Sequence, residues 1–246
     1  MATSTETVLE HHGATVPTIV YKPEGGGSHP AIVLAAEAYG LNQFTRGVAE
    51  RLRDAGYVVI VPDYYRGNGL TRPDDYTDFT EVMEFIGNLD FTGAANDVLA
   101  AIEHARLLPE VDKDRIAVWG YCTGGTLAML ASALDRNLSA AVWFFPSQPT
   151  FAELTPKHPV HPVDLIWSIN CPVLAIYGDQ DPIGPPELIA DLRDRFKRWG
   201  IDHQINIYPG AGHAFSAPVA PLRNDAADAA SWIDALQFLH EHLPTV

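Results

Sequence analysis

The sequence predicts an α/β fold: a doubly wound, mostly parallel β-sheet flanked by helices on both faces. Short runs of β-branched and aromatic residues alternate with longer segments of helical periodicity along the whole chain. The runs are apolar at successive positions, which is typical of strands buried on both faces. The 246 residues suit one large domain, and no linker, repeat or low-complexity segment divides them. We therefore expect a single domain spanning residues 1–246.

Six short apolar runs are predicted to be the parallel strands. They are Ala31–Ala35, Val58–Pro62, Ile116–Gly120, Ala140–Phe145, Val173–Gly178 and Gln204–Tyr208. A seventh run, Thr18–Tyr21, precedes Pro23 and a turn of three glycines. Because proline is confined mostly to sheet edges and strand ends, this run predicts an antiparallel edge strand.

Five segments have the apolar spacing of helices. They are Phe44–Ala55, Thr92–Leu108, Thr123–Leu134, Pro186–Trp199 and Asp225–His242. A glycine follows the first and the fourth, as is common at helix C-termini. Two other stretches, Tyr64–Leu89 and Ser147–Ile169, lack this spacing and are expected to cross the carboxyl edge of the sheet, where pockets form.

Charge and composition argue against several kinds of partner. The chain has 31 acidic and 16 basic residues, a formal net charge of −15, so nucleic acid and anionic membrane surfaces are not expected to bind. Two cysteines are too few for a disulfide framework. No apolar stretch approaches the ~20 residues of a membrane span, and the first residues lack the pattern of a signal peptide. We expect a cytoplasmic protein.

The strongest motif surrounds Cys122. A buried strand leads into Gly120-Tyr-Cys122-Thr-Gly124-Gly and then directly into a helix of small residues. This is the pattern of a nucleophile elbow with sulfur in place of the hydroxyl group. The partial positive charge of the helix N-terminus favours a thiolate there. A cysteine without such a context is usually a small core residue, which is how we interpret Cys171.

The partners of such a nucleophile are expected after later strands, first an acid and then a base. Asp181 follows the strand that ends at Gly178, with Asp179 as the alternative acid. His213 lies in a glycine-rich loop after the last strand and is the predicted base. The carboxylate would orient the imidazole and stabilise its protonated form, and the imidazole would reach the sulfur to about 3 Å.

These motifs resemble the dienelactone hydrolase family, whose members have the α/β-hydrolase fold, and the resemblance covers nearly the whole chain. Cysteine in the elbow is more specific than the fold, because most relatives with this sheet use serine. The matching segments are Ala36–Asn42, Gly56-Tyr57, Pro62–Tyr65, Gly120–Gly125, Gly178–Asp181 and Gly210–Phe215.

The resemblance implies a site and an activity. Glu37 would contact the nucleophile in the resting enzyme and help to set its charge, although a strand-end carboxylate can also simply be exposed. The backbone N–H groups of Thr123 and Ala38 would form the oxyanion hole. The expected reaction is hydrolysis of a small-molecule ester or lactone by a monomer or homodimer, with no metal or organic cofactor. Alternatives are a thioester or amide hydrolase, or a non-catalytic ligand-binding or thiol-sensing protein.

The sequence departs from the family at its substrate-binding arginines. No basic residue follows Phe215 before Arg223, and the segment that holds the other family arginine has none between Tyr76 and Val82. An anionic dienelactone is therefore a doubtful substrate. Five aromatic residues are expected either to line a pocket for a neutral or larger ester or to belong to the core: Tyr39, Tyr65, Trp143, Phe144 and Phe215.

Overall fold

Eight strands form one sheet in the order β1-β2-β4-β3-β5-β6-β7-β8. The computed structural model describes residues 3–11, 13–70, 72–76 and 79–245. The strands are β1 (Thr3–His11), β2 (Ala14–Lys22), β3 (His29–Ala35), β4 (Val58–Pro62), β5 (Val111–Tyr121), β6 (Ala140–Phe144), β7 (Val173–Gly178) and β8 (His203–Tyr208). The pairs β4–β3, β3–β5, β5–β6, β6–β7 and β7–β8 are parallel, whereas β1–β2 and β2–β4 are antiparallel. The predicted mostly parallel sheet is confirmed.

The antiparallel end of the sheet differs from the prediction. The run Thr18–Tyr21 lies within β2, which is the second strand of the sheet, and the edge position belongs to β1. Along β1 most described side chains remain exposed to solvent. A strand with so few buried side chains lacks the apolar run by which the other strands were recognised, which explains why the sequence did not predict it.

The five predicted helices are present to within a residue or two at each end. The helices are α1 (Gln43–Asp54), α2 (Phe79–Asn88), α3 (Phe91–Leu107), α4 (Thr123–Leu134), α5 (Pro186–Trp199) and α6 (Asp225–His242), with a 3-10 helix at Pro162–Ser168. The sequence predicted neither α2 nor the 3-10 helix, which lie in the two stretches expected to be irregular. As predicted, α5 ends at Gly200, which takes a left-handed conformation with φ of 66°.

Helices cover both faces of the sheet. The strand side chains alternate between two apolar clusters, one shared with α3, α4 and α5 and the other with α1 and α6. In β3, for example, Val33 belongs to the first cluster and Leu34 to the second. This arrangement is that of an α/β-hydrolase fold. Among the residues that the structure describes, no helix combines the length and apolarity needed to cross a membrane.

Candidate active site

The turn from β5 to α4 places Cys122 at the carboxyl edge of the sheet. Cys122 has φ of 51° and ψ of −114°, a backbone conformation that residues other than glycine rarely adopt. A Cβ atom on Gly120 would overlap the carbonyl of Gly124, and one on Gly124 would overlap the carbonyl of Ala35. The two glycines are therefore required by close backbone contacts. The Cys122 N–H donates a 2.9 Å hydrogen bond to the carbonyl of Phe144.

The structure brings Cys122, His213 and Asp181 together. His213 Nε2 lies 3.2 Å from Cys122 Sγ, and His213 Nδ1 lies 2.9 Å from Asp181 Oδ2. Asp181 is buried, and its other oxygen accepts a 2.8 Å hydrogen bond from the N–H of Ile183. The alternative acid, Asp179, instead accepts a 2.7 Å hydrogen bond from the N–H of Gly210. Of the two carboxylates, Asp181 is the one in contact with the imidazole.

The surroundings of His213 favour its protonated form. Desolvation alone would lower the pKa of His213, but the charge of the neighbouring Cys122 sulfur and the hydrogen bond to Asp181 raise this pKa to about 10. An imidazolium between a thiolate and a carboxylate is compensated on both sides. These contacts therefore favour an imidazolium at His213 at neutral pH.

Glu37 follows β3 and lies in the wall of the cavity beside Cys122. It is 8% exposed and accepts hydrogen bonds from the Tyr39 N–H (3.2 Å), from Asn42 Nδ2 (2.7 Å) and from the Tyr76 hydroxyl (3.1 Å). Burial raises the pKa of Glu37 to about 7, against the effect of these hydrogen bonds. Within the described residues Glu37 has no hydrogen bond to Cys122, although both line the same cavity. The three donors instead hold its carboxyl group in place.

The two backbone donors implied by the resemblance belong to Thr123, the residue after the nucleophile, and to Ala38. Thr123 is the first residue of α4, so its N–H has no acceptor within the helix. Ala38 lines the cavity. Two tyrosines, which the sequence did not predict to have this role, donate hydrogen bonds to the backbone carbonyls of Glu37 and Ala38. The Tyr64 hydroxyl donates a 2.8 Å hydrogen bond to the Glu37 carbonyl, and the Tyr65 hydroxyl donates one of 2.7 Å to the Ala38 carbonyl.

A cavity of about 180 Å³ opens above these groups. Its wall is mostly apolar and includes several side chains of α2. The lining residues are Glu37, Ala38, Tyr39, Phe44, Tyr76, Phe79, Val82, Met83, Ile86, Tyr121, Cys122, Phe145, Ser147, Gln148, Ile183, His213, Ala214, Ala217 and Leu222. Four of the lining residues belong to α2: Phe79, Val82, Met83 and Ile86. Their helical spacing in the sequence could have predicted an apolar helix here.

Of the five aromatic residues expected either at the pocket or in the core, Tyr39 lines the cavity and the other four do not. Trp143 is fully buried and packs against Phe196 on the α5 side of the sheet. Phe144 stacks on Trp119 in the core. Phe215 is fully buried beneath the cavity wall, and Tyr65 contacts the Ala38 carbonyl from outside the cavity. Buried strands have core on both faces, so an aromatic residue near a strand end need not reach the pocket.

Three arginines that could have bound an anionic substrate make ion pairs elsewhere. Arg66 contacts Asp97 through two hydrogen bonds of 2.8 Å. Arg72 lies 3.0 Å from Asp75, and Arg223 contacts two aspartates of α6, at 2.6 and 2.8 Å. None of the three lines the cavity. Within the described ranges, no group of three His, Cys, Asp or Glu side chains is arranged to hold a metal ion.

Comparison with known proteins identifies the family. Residues 16–243 match the family model described as the dienelactone hydrolase family. The chain belongs to the dienelactone hydrolase family. This family member is 29% identical, over 241 residues, to a Yersinia pestis protein named as a carboxymethylenebutenolidase; the match covers 96% of this chain and 88% of the relative.

Two further relatives support the assignment of this chain to the dienelactone hydrolase family. A Bradyrhizobium protein named as a 2-oxo-3-(5-oxofuran-2-ylidene)propanoate lactonase is 28% identical over 222 residues, which are 90% of this chain and 88% of the relative. A crystal structure named as a dienelactone hydrolase from Klebsiella pneumoniae superposes with a TM-score of 0.88 at 25% identity and covers 98% of this chain and 99% of the other. The chain is therefore a hydrolase of the dienelactone hydrolase type.

Proposed function

We propose that the chain hydrolyses a carboxylic ester or lactone, with Cys122 as nucleophile, His213 as proton carrier and Asp181 as the acid that orients the imidazole. The observation that carries this proposal is the continuous contact from Sγ through the imidazole to the carboxylate, at 3.2 and 2.9 Å. The lactonase name of the Bradyrhizobium relative supports a lactone among the substrates.

The first half of the reaction forms a thioester. The Cys122 thiolate attacks the carbonyl carbon, and the electron pair of the C=O double bond moves to the oxygen. The N–H groups of Thr123 and Ala38 donate hydrogen bonds to this oxyanion, and each such donor contributes roughly 2.7–4 kcal/mol to transition-state stabilisation. When the oxyanion collapses, the ester C–O bond breaks and the leaving alkoxide takes the proton of His213.

The second half releases the acid. His213, now neutral, accepts a proton from a water molecule as that water attacks the thioester carbon. The resulting oxyanion uses the same two N–H groups. Its collapse breaks the C–S bond and restores the thiolate beside the imidazolium. In a lactone the alcohol and the acid belong to one molecule, so a single hydroxy acid leaves.

Glu37 contributes to the charge balance of this cycle. With a pKa of about 7, its carboxyl group is partly ionised at neutral pH, and its negative charge opposes a second negative charge in the same cavity. Its three hydrogen-bond donors hold it in the wall, so we assign it to tuning the charge of the site and not to nucleophilic attack.

The experiment is a matched pair of cysteine variants tested on p-nitrophenyl acetate and on a small lactone. Cys122→Ala is expected to lower kcat/KM by at least about 10³-fold. Cys171→Ala is the control, because Cys171 is buried and desolvation raises the pKa of its thiol to about 12. It is expected to retain activity within about twofold, as a core thiol with no part in the reaction.

Acid quenching during turnover, followed by mass spectrometry, should find the acyl group on the peptide that contains Cys122. More than a few per cent of activity in Cys122→Ala would contradict this nucleophile. Turnover of thioesters or amides but not of oxygen esters would point to a different bond, and iodoacetamide labelling of Cys122 without any turnover would favour a binding or thiol-sensing protein.

A further inference from the structure

The cavity above Cys122 has no cationic side chain in its wall apart from His213. Every lysine and arginine of the chain lies within the described ranges, and none of the 16 lines the cavity. Arg66, Arg72 and Arg223 make ion pairs with aspartates. A substrate carboxylate bound here would lose its hydration, and the one cation near it, the His213 imidazolium, already contacts Cys122 and Asp181.

The charge that the wall does carry is negative. Glu37 is the one carboxylic acid among the described lining residues, and its pKa is about 7. Its negative charge would repel a carboxylate at the short distances of a small cavity. The net charge of −15 acts in the same direction on the approach of an anion.

Part of the wall consists of apolar side chains from α2. Phe79, Val82, Met83 and Ile86 all line the cavity, and two of them remain open to solvent at its mouth, Phe79 at 48% and Met83 at 61% exposure. Exposed apolar side chains beside a cavity are typical of a surface that an apolar ligand covers.

Two neutral polar side chains complete the wall. The Ser147 hydroxyl donates to Gln148 Oε1, which orients the amide group, and the Gln148 N–H donates to Thr126 Oγ1 at 2.9 Å. Gln148 Nε2 makes no hydrogen bond to another described residue. It can therefore donate to a neutral oxygen of a substrate without the help of a charge.

We propose that the site selects uncharged esters or lactones whose apolar group packs against α2, and that it discriminates against substrates with a carboxylate. This inference rests on the proposed function and specifies its substrate class. It separates this chain from the Bradyrhizobium relative, whose name specifies a propanoate.

Two p-nitrophenyl esters of equal chain length test the selection. The pentanoate ends in a methyl group and the glutarate monoester ends in a carboxylate, while the scissile bond and the leaving group are the same. The expected kcat/KM for the pentanoate is at least about tenfold higher, because an unpaired or like charge in a binding site is strongly disfavoured. Equal or better turnover of the glutarate ester would overturn the inference and leave the proposed function intact. If neither ester is hydrolysed, the proposed function is contradicted.

A charge placed in the wall tests the cause. Met83→Arg adds a guanidinium at the cavity mouth, and no acidic residue of α2 lies three or four positions away, where it could pair with it: the neighbours are Phe79, Thr80, Ile86 and Gly87. The glutarate-to-pentanoate ratio of kcat/KM is expected to rise about tenfold, and the gain to shrink as salt is added.

Two matched variants serve as controls. Ile233→Arg adds the same charge on α6 at a side chain that is 64% exposed and does not line the cavity, and Met83→Gln removes the apolar group without adding charge. Ile233→Arg should change the ratio by less than about threefold, within the range of a non-local charge effect. Met83→Gln should raise the ratio less than Met83→Arg does, because it removes an apolar contact of the pentanoate but offers no charge to the carboxylate. An equal rise in Ile233→Arg would show that net charge, and not the cavity wall, decides the preference, and would overturn the inference.

Discussion

The hydroxyl group of Tyr64 donates a 2.8 Å hydrogen bond to the carbonyl oxygen of Glu37. The N–H of Gly40 donates to the same oxygen, also at 2.8 Å. This carbonyl and the N–H of Ala38 belong to one trans peptide plane, in which C=O and N–H point in opposite directions. By holding the carbonyl on one side, Tyr64 and Gly40 keep the Ala38 N–H directed to the other, as its proposed role of oxyanion donor requires.

The first prediction concerns Tyr64→Phe. Removal of the hydroxyl leaves the peptide held by Gly40 alone, so the donor should be less well aligned with the transition state. We expect kcat to fall about tenfold, less than the ~10²–10³-fold loss when an oxyanion donor is removed outright. KM should change little, because the ground-state carbonyl depends less on this donor. Steady-state kinetics on a p-nitrophenyl ester measures both.

Tyr57→Phe is the matched control for this variant. Its hydroxyl also donates to a backbone carbonyl, that of Leu243 at 3.3 Å, but on the α6 side of the sheet. Urea denaturation should show losses of stability of similar size in the two variants, about 1 kcal/mol each. If Tyr57→Phe lost as much kcat as Tyr64→Phe, or Tyr64→Phe lost none, the positioning role of Tyr64 would be wrong.

The second prediction distinguishes the two aspartates after β7. Asp181→Asn removes the carboxylate that contacts His213 Nδ1, and we expect kcat/KM to fall by about 10²-fold or more, since the imidazolium loses its counter-charge and its orientation. Asp179→Asn keeps an oxygen that can accept from the Gly210 N–H. It should stay within about fivefold of the parent enzyme, because it alters a loop contact and not the imidazole. The reverse order of the two losses would favour Asp179 as the acid.

The third prediction is a pH dependence of stability caused by Glu37. Burial raises its pKa in the folded chain to about 7, above the ordinary glutamate value of 4.5. The folded state therefore binds the proton more tightly, and the contribution is present below pH 4.5 and lost as the pH rises through 7. Relative to Glu37→Gln, the parent chain should lose up to about 3 kcal/mol of unfolding free energy between pH 5 and pH 8.

Urea denaturation of the parent chain and of Glu37→Gln at four pH values in this range measures the difference. Other titrating groups, including His213, are common to both chains and cancel in it. A difference that does not change between pH 5 and pH 8 would mean that the Glu37 carboxyl group titrates normally in the folded chain.

Several parts of the fold and site were predictable because they depend on local sequence. The elbow at Cys122 requires glycine on both sides wherever a strand turns this sharply into a helix, and the strands of the parallel sheet are apolar along their length. The strand β1 and the helix α2 were not predicted. Most side chains of β1 are exposed, and the apolar residues of α2 face a cavity, so neither element has the apolar pattern of one that packs in the core.

The sequence favoured Asp181 over Asp179 without excluding either, and it did not identify the pocket residues. Both aspartates follow the same strand, and only the positions of the Gly210 and His213 backbone decide which carboxylate meets the imidazole. Trp143, Phe144 and Phe215 are aromatic residues near strand ends, yet their side chains point into the two layers of core. Whether a strand-end side chain reaches a pocket depends on what packs above it.

By itself, the sequence determined the candidate nucleophile and the architecture of this protein, because a strained strand-to-helix turn and buried parallel strands each demand particular residues within a few positions. The tertiary structure alone decided the environment of the thiol: the distance to the imidazole, the donors that hold Glu37, and a cavity wall without lysine or arginine. Those properties arise from groups that are far apart in the chain, and no local sequence pattern predicts which aspartate pairs with an arginine.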